Sequence, residues 1–330
     1  MKRVPFLMIV AMAASRLLEA QGATIDTQCR GATATQRASQ DACQKALDLF
    51  QYMAPQLAGA ITGGNAALGE HSSRGGAGRF SVGVRVNAVR GRLPNVEAIT
   101  PSINGAVVSD YTPKEQLLPV PVVDAALGVF PGVYIGGTQA LAVDALLNLA
   151  YLPSVNETDV QLSLPDGSVK VGFGARVSVV QETSFSPGIS VTWLQRNLPR
   201  LDLVATPGSD QLNVNDFLAK TTAWRAVIGK NLGFLALSAG FGQDETEVSA
   251  VADVRVVRSG VTYSAGPIAA IQSLTRDNAF GSVALRLPVF SLIGEYGRVS
   301  GGQIATYNTF GTTRADDALE YASVGIRLRF

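Results

Sequence analysis

From Arg79 onward, apolar and polar positions alternate one by one. Phe80, Val82, Val84, Val86 and Ala88 alternate with Arg79, Ser81, Gly83, Arg85 and Asn87. Val169, Val171, Phe173, Ala175, Val177 and Val179 interleave with Lys170, Gly172, Gly174, Arg176 and Ser178. Shorter runs repeat the pattern: Ile189, Val191, Trp193; Leu235, Leu237, Ala239, Phe241; Val283, Leu285, Leu287. The end of the chain puts Ala322, Val324, Ile326, Leu328 and Phe330 on one face, with Tyr321, Ser323, Gly325, Arg327 and Arg329 on the other. Side chains of a strand point to opposite faces in turn, so each run has one apolar face and one face of small or charged residues. The alternation predicts about 12 strands, near 79–90, 139–152, 167–181, 187–197, 200–206, 222–230, 233–243, 249–258, 260–271, 278–288, 290–299 and 317–330. Residues 92–137 fit no strand pattern; they are Pro-rich, carry a short helical stretch at Val122–Val129, and read as a long loop or in-folded segment. Turns are expected at Pro165-Asp166-Gly167, Thr206-Pro207-Gly208, Ser259-Gly260 and Arg276-Asp277-Asn278.

Ahead of Arg79 the period changes. Between Gln36 and Ile61, Ala42, Cys43, Ala46, Leu47, Phe50, Met53, Ala54 and Leu57 recur at steps of three and four, one face of a helix. Pro55 should kink or end it, and Gly63-Gly64-Asn65 follows as a stop. Gly69 to Gly78 is glycine- and serine-rich and reads as a flexible connector. At the start of the chain, Lys2 and Arg3 precede an apolar stretch from Val4 to Ala14, the layout of an export signal over residues 1–20. The division is then 1–20 signal peptide, 21–78 helical segment and Gly-rich connector (a candidate plug), and 79–330 strand-rich domain. Cys29 and Cys43 are the two cysteines. In an exported protein such a pair is expected as a disulfide, worth roughly 3 kcal/mol for a loop this short.

Composition narrows the architecture. Charged residues make up 16% and glycine numbers 34 of 330, where about 25% charged and about 7% glycine are usual. The formal net charge is +1, which excludes a basic nucleic-acid binder. No apolar run after the signal is long enough for a spanning helix. Two architectures remain, a transmembrane barrel and a soluble β-rich sandwich. In the sandwich the second face would carry Lys, Glu, Thr and Asp for water. Here it carries Gly83, Gly172, Gly174, Ser178, Ser238, Gly240, Ser282 and Gly325, as in a crowded lumen. A central glycine weakens a soluble sheet. The expected fold is therefore all-β: a closed antiparallel transmembrane β-barrel of about 12 strands (range 10–14) with an N-terminal helical segment. Sparse aromatics, Phe80, Tyr151, Trp193, Trp224, Phe241, Tyr263, Tyr296 and Phe330, are the candidates for interface girdles.

The final ten residues, Tyr321 to Phe330, alternate and end in phenylalanine. They resemble the C-terminal signature of Gram-negative outer-membrane β-barrel proteins. The resemblance implies the bacterial outer membrane as location, its lipid and the outer-membrane assembly machinery as partners, and Val324, Ile326, Leu328 and Phe330 as the assembly signal. A helix ahead of a barrel is also similar to the order of parts in the long-chain fatty-acid channel family. Gly64-Asn65-Ala66-Ala67 is only loosely similar to that family's Asn-Pro-Ala box, and proline is missing, so no binding residues carry over.

Catalytic chemistry is thin. His71 is the sole histidine, in the connector, where a solvated loop residue is expected. Neither a hydrolase triad nor a metal site is expected around it, and no cofactor is implied. Asp316-Asp317 and Glu245-Glu247 read as exposed loop charges, Gly75-Gly76-Ala77-Gly78 lacks the residues of a phosphate loop, and Asn156-Glu157-Thr158 matches a glycosylation sequon. The informative polar set is basic. Arg79, Arg85, Lys170, Arg176, Arg225, Arg286, Arg327 and Arg329 fall on the inward face, with Asp144, Asp202, Asp253 and Glu295 as the acids. They either attract anions or pair with lumen acids and the N-terminal plug. Leu47, Phe50, Met53 and Leu57 form a stripe for packing or for a hydrophobic ligand. The expected function is passage or binding of a small molecule, hydrophobic or anionic, without enzymatic activity. The alternatives are a closed structural or surface-interaction barrel and a soluble secreted protein.

Overall fold

The computed structural model describes residues 24–31, 33–94, 100–156, 160–206 and 208–330, with the side chains of Thr35 and Val155 left aside. The expected signal at 1–20, Pro207 and most of the sequon lie outside the described residues.

The alternating runs become β1 (Phe80–Pro94), β2 (Pro113–Phe130), β3 (Val133–Ile135), β4 (Thr138–Ala140), β5 (Ala142–Tyr151), β6 (Val155–Asn156), β7 (Val160–Ser163), β8 (Val169–Val180), β9 (Gly188–Asn197), β10 (Leu201–Ala205), β11 (Gln211–Leu232), β12 (Leu235–Arg258), β13 (Val261–Arg286), β14 (Phe290–Ser300) and β15 (Leu319–Arg329). Thirteen of them share one sheet. Around it, β1, β2, β5, β8, β9, β11, β12, β13, β14 and β15 pair in turn, all antiparallel. The last pairs back to the first, from Ser81 opposite Arg329 to Val89 opposite Tyr321. These ten strands close a ring among the described residues. β10, β7 and β6 extend the sheet from the first half of β11. The expectation of a closed all-β barrel, in the range of 10–14 strands, holds.

Closure leaves no strand edge in the ring's middle, and the outward face is apolar. Val84, Val171, Val191, Ile228, Val283, Val324 and Ile326 all point outward and are exposed. Phe173, Trp193, Trp224 and Phe241 form an aromatic arc over four neighbouring strands, with ring centroids 6.0 Å apart for Phe173–Trp193 and 5.9 Å for Trp224–Phe241, and Trp193 directly opposite Trp224. Phe80 stacks on Phe330 at 4.7 Å where the ring closes. An apolar, edgeless outer wall is what a bilayer requires of a sheet; this is an outer-membrane-type β-barrel. Connections at the Phe80/Phe330 end are short (131–141, 181–187, 233–234, 287–289), while 95–112, 152–168 and 301–318 at the other end are long. Short turns face the periplasm in such barrels, so the Phe80/Phe330 end is the inner end.

Five expectations need correction. Residues 113–130 are strand β2, not loop or helix. Its prolines hid it. Pro119 and Pro121 pair with β1 only, because β5 joins β2 from Val122 onward, and a proline without an N–H is tolerated beside an open edge. The segments at 233–243 and 249–258 are one strand, as are 260–271 and 278–288. Arg276-Asp277-Asn278 is therefore mid-strand rather than a turn, and Glu245 and Glu247 lie on β12 rather than in a loop. β11, β12 and β13 run 22, 24 and 26 residues, whereas about 9–11 cross a bilayer. Their outer halves stand clear of lipid, so polar outward residues interrupt the apolar pattern there.

Candidate functional site

The lumen holds the chain's own N-terminal segment. Helix α1 (Ala34–Thr62) starts from a capping box, in which Thr33 accepts from the Gln36 N–H and Gln36 accepts from the Thr33 N–H. It passes Pro55 without ending. A proline at this position frees the carbonyl four residues earlier, and Gln272 of β13 donates to that carbonyl, Gln51 O, at 2.9 Å. The helix runs from the outer end inward. Cys43 and Ala46 pack on Ala252 and Ile268 in the projecting halves of β12 and β13, while the chain beyond it reaches Leu68 against Ile293 and Ala284. Cys29 and Cys43 form the expected disulfide, Cα–Cα 5.4 Å.

Wall arginines hold the inner half of this plug. The last carbonyls of a helix lack intrahelical partners and carry partial negative charge. Arg196 donates to Ile61 O at 2.7 Å and Arg225 to Thr62 O at 3.2 Å. Arg85 donates to Asn65 O and Arg327 to Leu68 O, both at 2.9 Å. Gly64 turns the chain with φ 63°, and an added Cβ would overlap the Glu295 carboxylate, which accepts from the Asn65 N–H. Glu70 is the hub. Its carboxylate lies 2.9 Å from Arg176, 3.1 Å from Arg74 and 3.9 Å from both Arg327 and Arg329. Asp144 takes Arg176 at 2.6 Å and the Ser73 hydroxyl at 2.6 Å. Buried charges are costly unless paired, and here plug and wall pair each other.

His71 is not the expected solvated residue. It is 4% exposed, its Nε2 lies 2.9 Å from Glu182 of the 181–187 turn, and Gly229 leaves the room for its ring. Burial pushes the His71 pKa down against the pull of Glu182, with Arg286 and Arg176 pushing the same way as burial. The expected connector, 69–78, is a free tether only at its end: 69–71 are buried, 72–76 are half-buried with Ser73 and Arg74 bonded to Ser178 and Asp144, and 77–78 are exposed.

At the outer end the helix carries loops instead. Asp41 accepts from Lys45, from Ser102 N at 2.6 Å and from Val107 N at 2.9 Å. One face and two turns on, Asp48 accepts from Tyr307 N at 3.2 Å and Asn308 N at 2.8 Å. Tyr52 stacks on Phe310 at 4.0 Å. A narrow apolar recess remains between Ala42, Ala46 and Leu49 of the helix and Leu212, Val254 and Val256 of the wall.

Of the inward basic set, Arg85, Arg176, Arg225 and Arg327 are buried in the lumen, and Lys170, Arg286 and Arg329 are half-buried. Arg79 is exposed at the inner rim. Arg85 pairs with Asp124 at 2.9 Å and Arg225 with Asp244. Leu47 and Phe50 are buried against the wall, and Met53 and Leu57 are partly buried beside them, so the stripe is packing surface. Val324, Ile326, Leu328 and Phe330 face outward. Sequence reasoning missed Arg196 and Arg276, both buried. Strand parity carried the signal for Arg196: with Ile189, Val191 and Trp193 outward, position 196 faces in.

No protein-family profile and no curated protein matches the sequence. Among solved structures, the chain is similar to the translocator domain of autotransporter NalP from Neisseria meningitidis, with TM-score 0.41 and 11% identity over 90% of this chain and 100% of that one. It is also similar to the outer membrane protease OmpT from Escherichia coli, at TM-score 0.38 and 8% identity over 81% and 100%. The toluene transporter TbuX from Ralstonia pickettii matches at TM-score 0.27 and 14% identity, over 82% and 93%.

Proposed function

We propose that this protein is a barrel of the bacterial outer membrane, closed by its own N-terminal segment, that acts through its outer end as a surface-interaction protein. One observation carries the reading. The lumen arginines that would draw solute through an open pore are spent on the plug: Arg196, Arg225, Arg85 and Arg327 each donate to a plug carbonyl. The same helix anchors loops 100–112 and 301–318 through Asp41 and Asp48, and β11–β13 project beside them, giving a rigid platform. Passage of a small molecule, the reading first drawn from the basic lumen, requires α1 or the connector to leave. Single-channel recordings on the whole protein in planar bilayers test this. A silent protein is expected; steady conductance with the plug in place would overturn the closed reading. Fractionation tests the location, with a heat-modifiable band expected in outer-membrane fractions and a freely soluble protein counting against it.

A further inference from the structure

The inner mouth carries more positive charge than the chain neutralises. Arg74, Arg176, Arg286, Arg327 and Arg329 gather there around two carboxylates, Glu70 and Asp144. Asp124, 3.9 Å from Arg327, is already held by Arg85 at 2.9 Å. Glu182 and Lys230, at the rim, lie 3.9 Å apart and offset each other. Among the described residues Arg286 has no carboxylate within ion-pair distance, and Arg329 reaches one only at 3.9 Å.

Register brings these side chains together. Arg286 of β13 is opposite Ser291 of β14, and Ser291 is opposite Arg327 of β15, so the three form one row across adjacent strands. Arg329 is the next inward position on β15, and its backbone neighbours close the seam with β1. Neighbouring strands lie about 4.8 Å apart, well within the reach of two arginine side chains across one strand. Several guanidinium nitrogens here are buried without a hydrogen-bond partner: Arg74 Nε, Arg176 Nη1, Arg327 Nη2 and Arg329 Nε, the last two reaching a carboxylate only at 3.9 Å. Arg176 and Arg327 are each about 1% exposed. Donors on buried cations left without a hydrogen bond are expensive, and forked guanidiniums bind phosphate through paired, charge-assisted hydrogen bonds.

We propose that Arg74, Arg286, Arg327 and Arg329 form a phosphate-binding site at the inner mouth. The group that fits is a phosphate, borne either by a free solute or by a phospholipid head group at the inner leaflet. Glu70 then serves as the internal counter-charge that keeps the cluster folded, and the phosphate supplies what Glu70 and Asp144 leave over.

The test uses the whole protein in zwitterionic detergent at constant ionic strength, titrated with inorganic phosphate by calorimetry. Saturable binding is expected. Arg286→Gln and Arg329→Gln should each weaken it about tenfold, the loss of one charge-assisted contact pair, while Arg258→Gln at the outer end leaves it unchanged. A second arm places the protein in nanodiscs containing phosphatidylglycerol and counts retained lipid by native mass spectrometry. Retention that R286Q and R329Q abolish, without phosphate binding in detergent, assigns the head group as the source. Heat-modifiable mobility shows that each variant is folded. The proposal is overturned if neither phosphate nor phosphatidylglycerol binds, or if both bind R286Q and R329Q as they bind the unaltered protein. The outcome is independent of what the outer end recognises, because a conducting barrel could keep this site and a silent one could lack it.

Discussion

The two ends of the plug are held by different physics. Near the outer end the helix is fixed by packing and by a covalent tie: Cys43 and Ala46 lie on Ala252 and Ile268, Tyr52 on Phe310, and Cys29 is bonded to Cys43. Near the inner end the apolar contacts are small ones: Ala66 and Ala67 lie with Ala126, Leu146 and Leu194, and Leu68 with Ala236, Ala284 and Ile293. Here Arg196 and Arg225 hold the last helix carbonyls, Ile61 and Thr62, and beyond Gly63 the connector depends on Arg85 and Arg327 at the Asn65 and Leu68 carbonyls and on the charges around Glu70. Packing fails gradually when trimmed. A charge network fails abruptly when one member is removed, because the others remain buried and unpaired. The outer end is therefore the fixed end and the inner end is the latch.

The largest break should come from the hub. Glu70→Ala leaves Arg176, with Arg74, Arg327 and Arg329, short of a carboxylate, and breaking a buried pair costs about 3–5 kcal/mol. Hydrogen exchange should rise sharply over 63–74 and stay low over 41–52, and intermittent conductance should appear in bilayers. Equal exchange at both ends would erase the distinction between them. Next comes the tie itself. Cys29→Ser with Cys43→Ser should cost about 3 kcal/mol by chain-entropy reasoning, and loosen only residues 24–40, read by proteolysis from the outer face. Thr33→Ala removes one half of the capping box and should cost about 1 kcal/mol, seen as fraying of the first helical turn with the inner end untouched.

Acid should act on the latch through His71 and Glu182, with the smallest effect. His71 is held neutral by burial, its pKa below the ordinary 6.5. Its contribution is complete above pH 6.5 and is lost as pH falls below that value. Glu182 has its pKa lowered from 4.5: burial raises it, but the hydrogen bonds from His71 and the Asn231 N–H, the charge His71 gains once protonated, and the charge of Lys230 outweigh that. Its contribution is present above pH 4.5 and lost on further acidification. Arg286 and Arg176 also face His71 and disfavour its protonation. Both signs agree, so proteolysis of the connector from the inner side should begin to speed up as pH falls below 6.5, through His71, and speed up further below pH 4.5, through Glu182.

Much of the barrel was legible because lipid on one side and a crowded lumen on the other force strict alternation, as at 80–88, 169–179 and 322–330. Legibility failed where that condition fails. β2 is proline-bearing where β5 does not reach it, and the outer halves of β12 and β13 meet water on their outward face, so each read as two segments. Arg85, Arg176, Arg225 and Arg327 were legible as inward residues by parity. That they pair with lumen acids and a plug was one of two readings open in the sequence; which plug atoms they reach was not legible, since Arg85, Arg225 and Arg327 meet backbone carbonyls, which have no sequence signature. The connector was misread for the same reason. Its burial comes from pairing with residues more than a hundred positions away, as Glu70 with Arg176 and His71 with Glu182, and a glycine-rich stretch shows none of that in its own composition.

The direction of α1 has a consequence for how the molecule comes to exist. Its first turn is at the outer mouth, its chain enters β1 at the inner rim, and the ring closes where β1 meets β15, far along the chain. A finished ring would have to admit a disulfide-closed loop through a lumen lined with side chains that already expect the helix. Closing the ring with the helix already inside avoids that passage, and the stacked Phe80 and Phe330 mark the seam at which such a closure is completed.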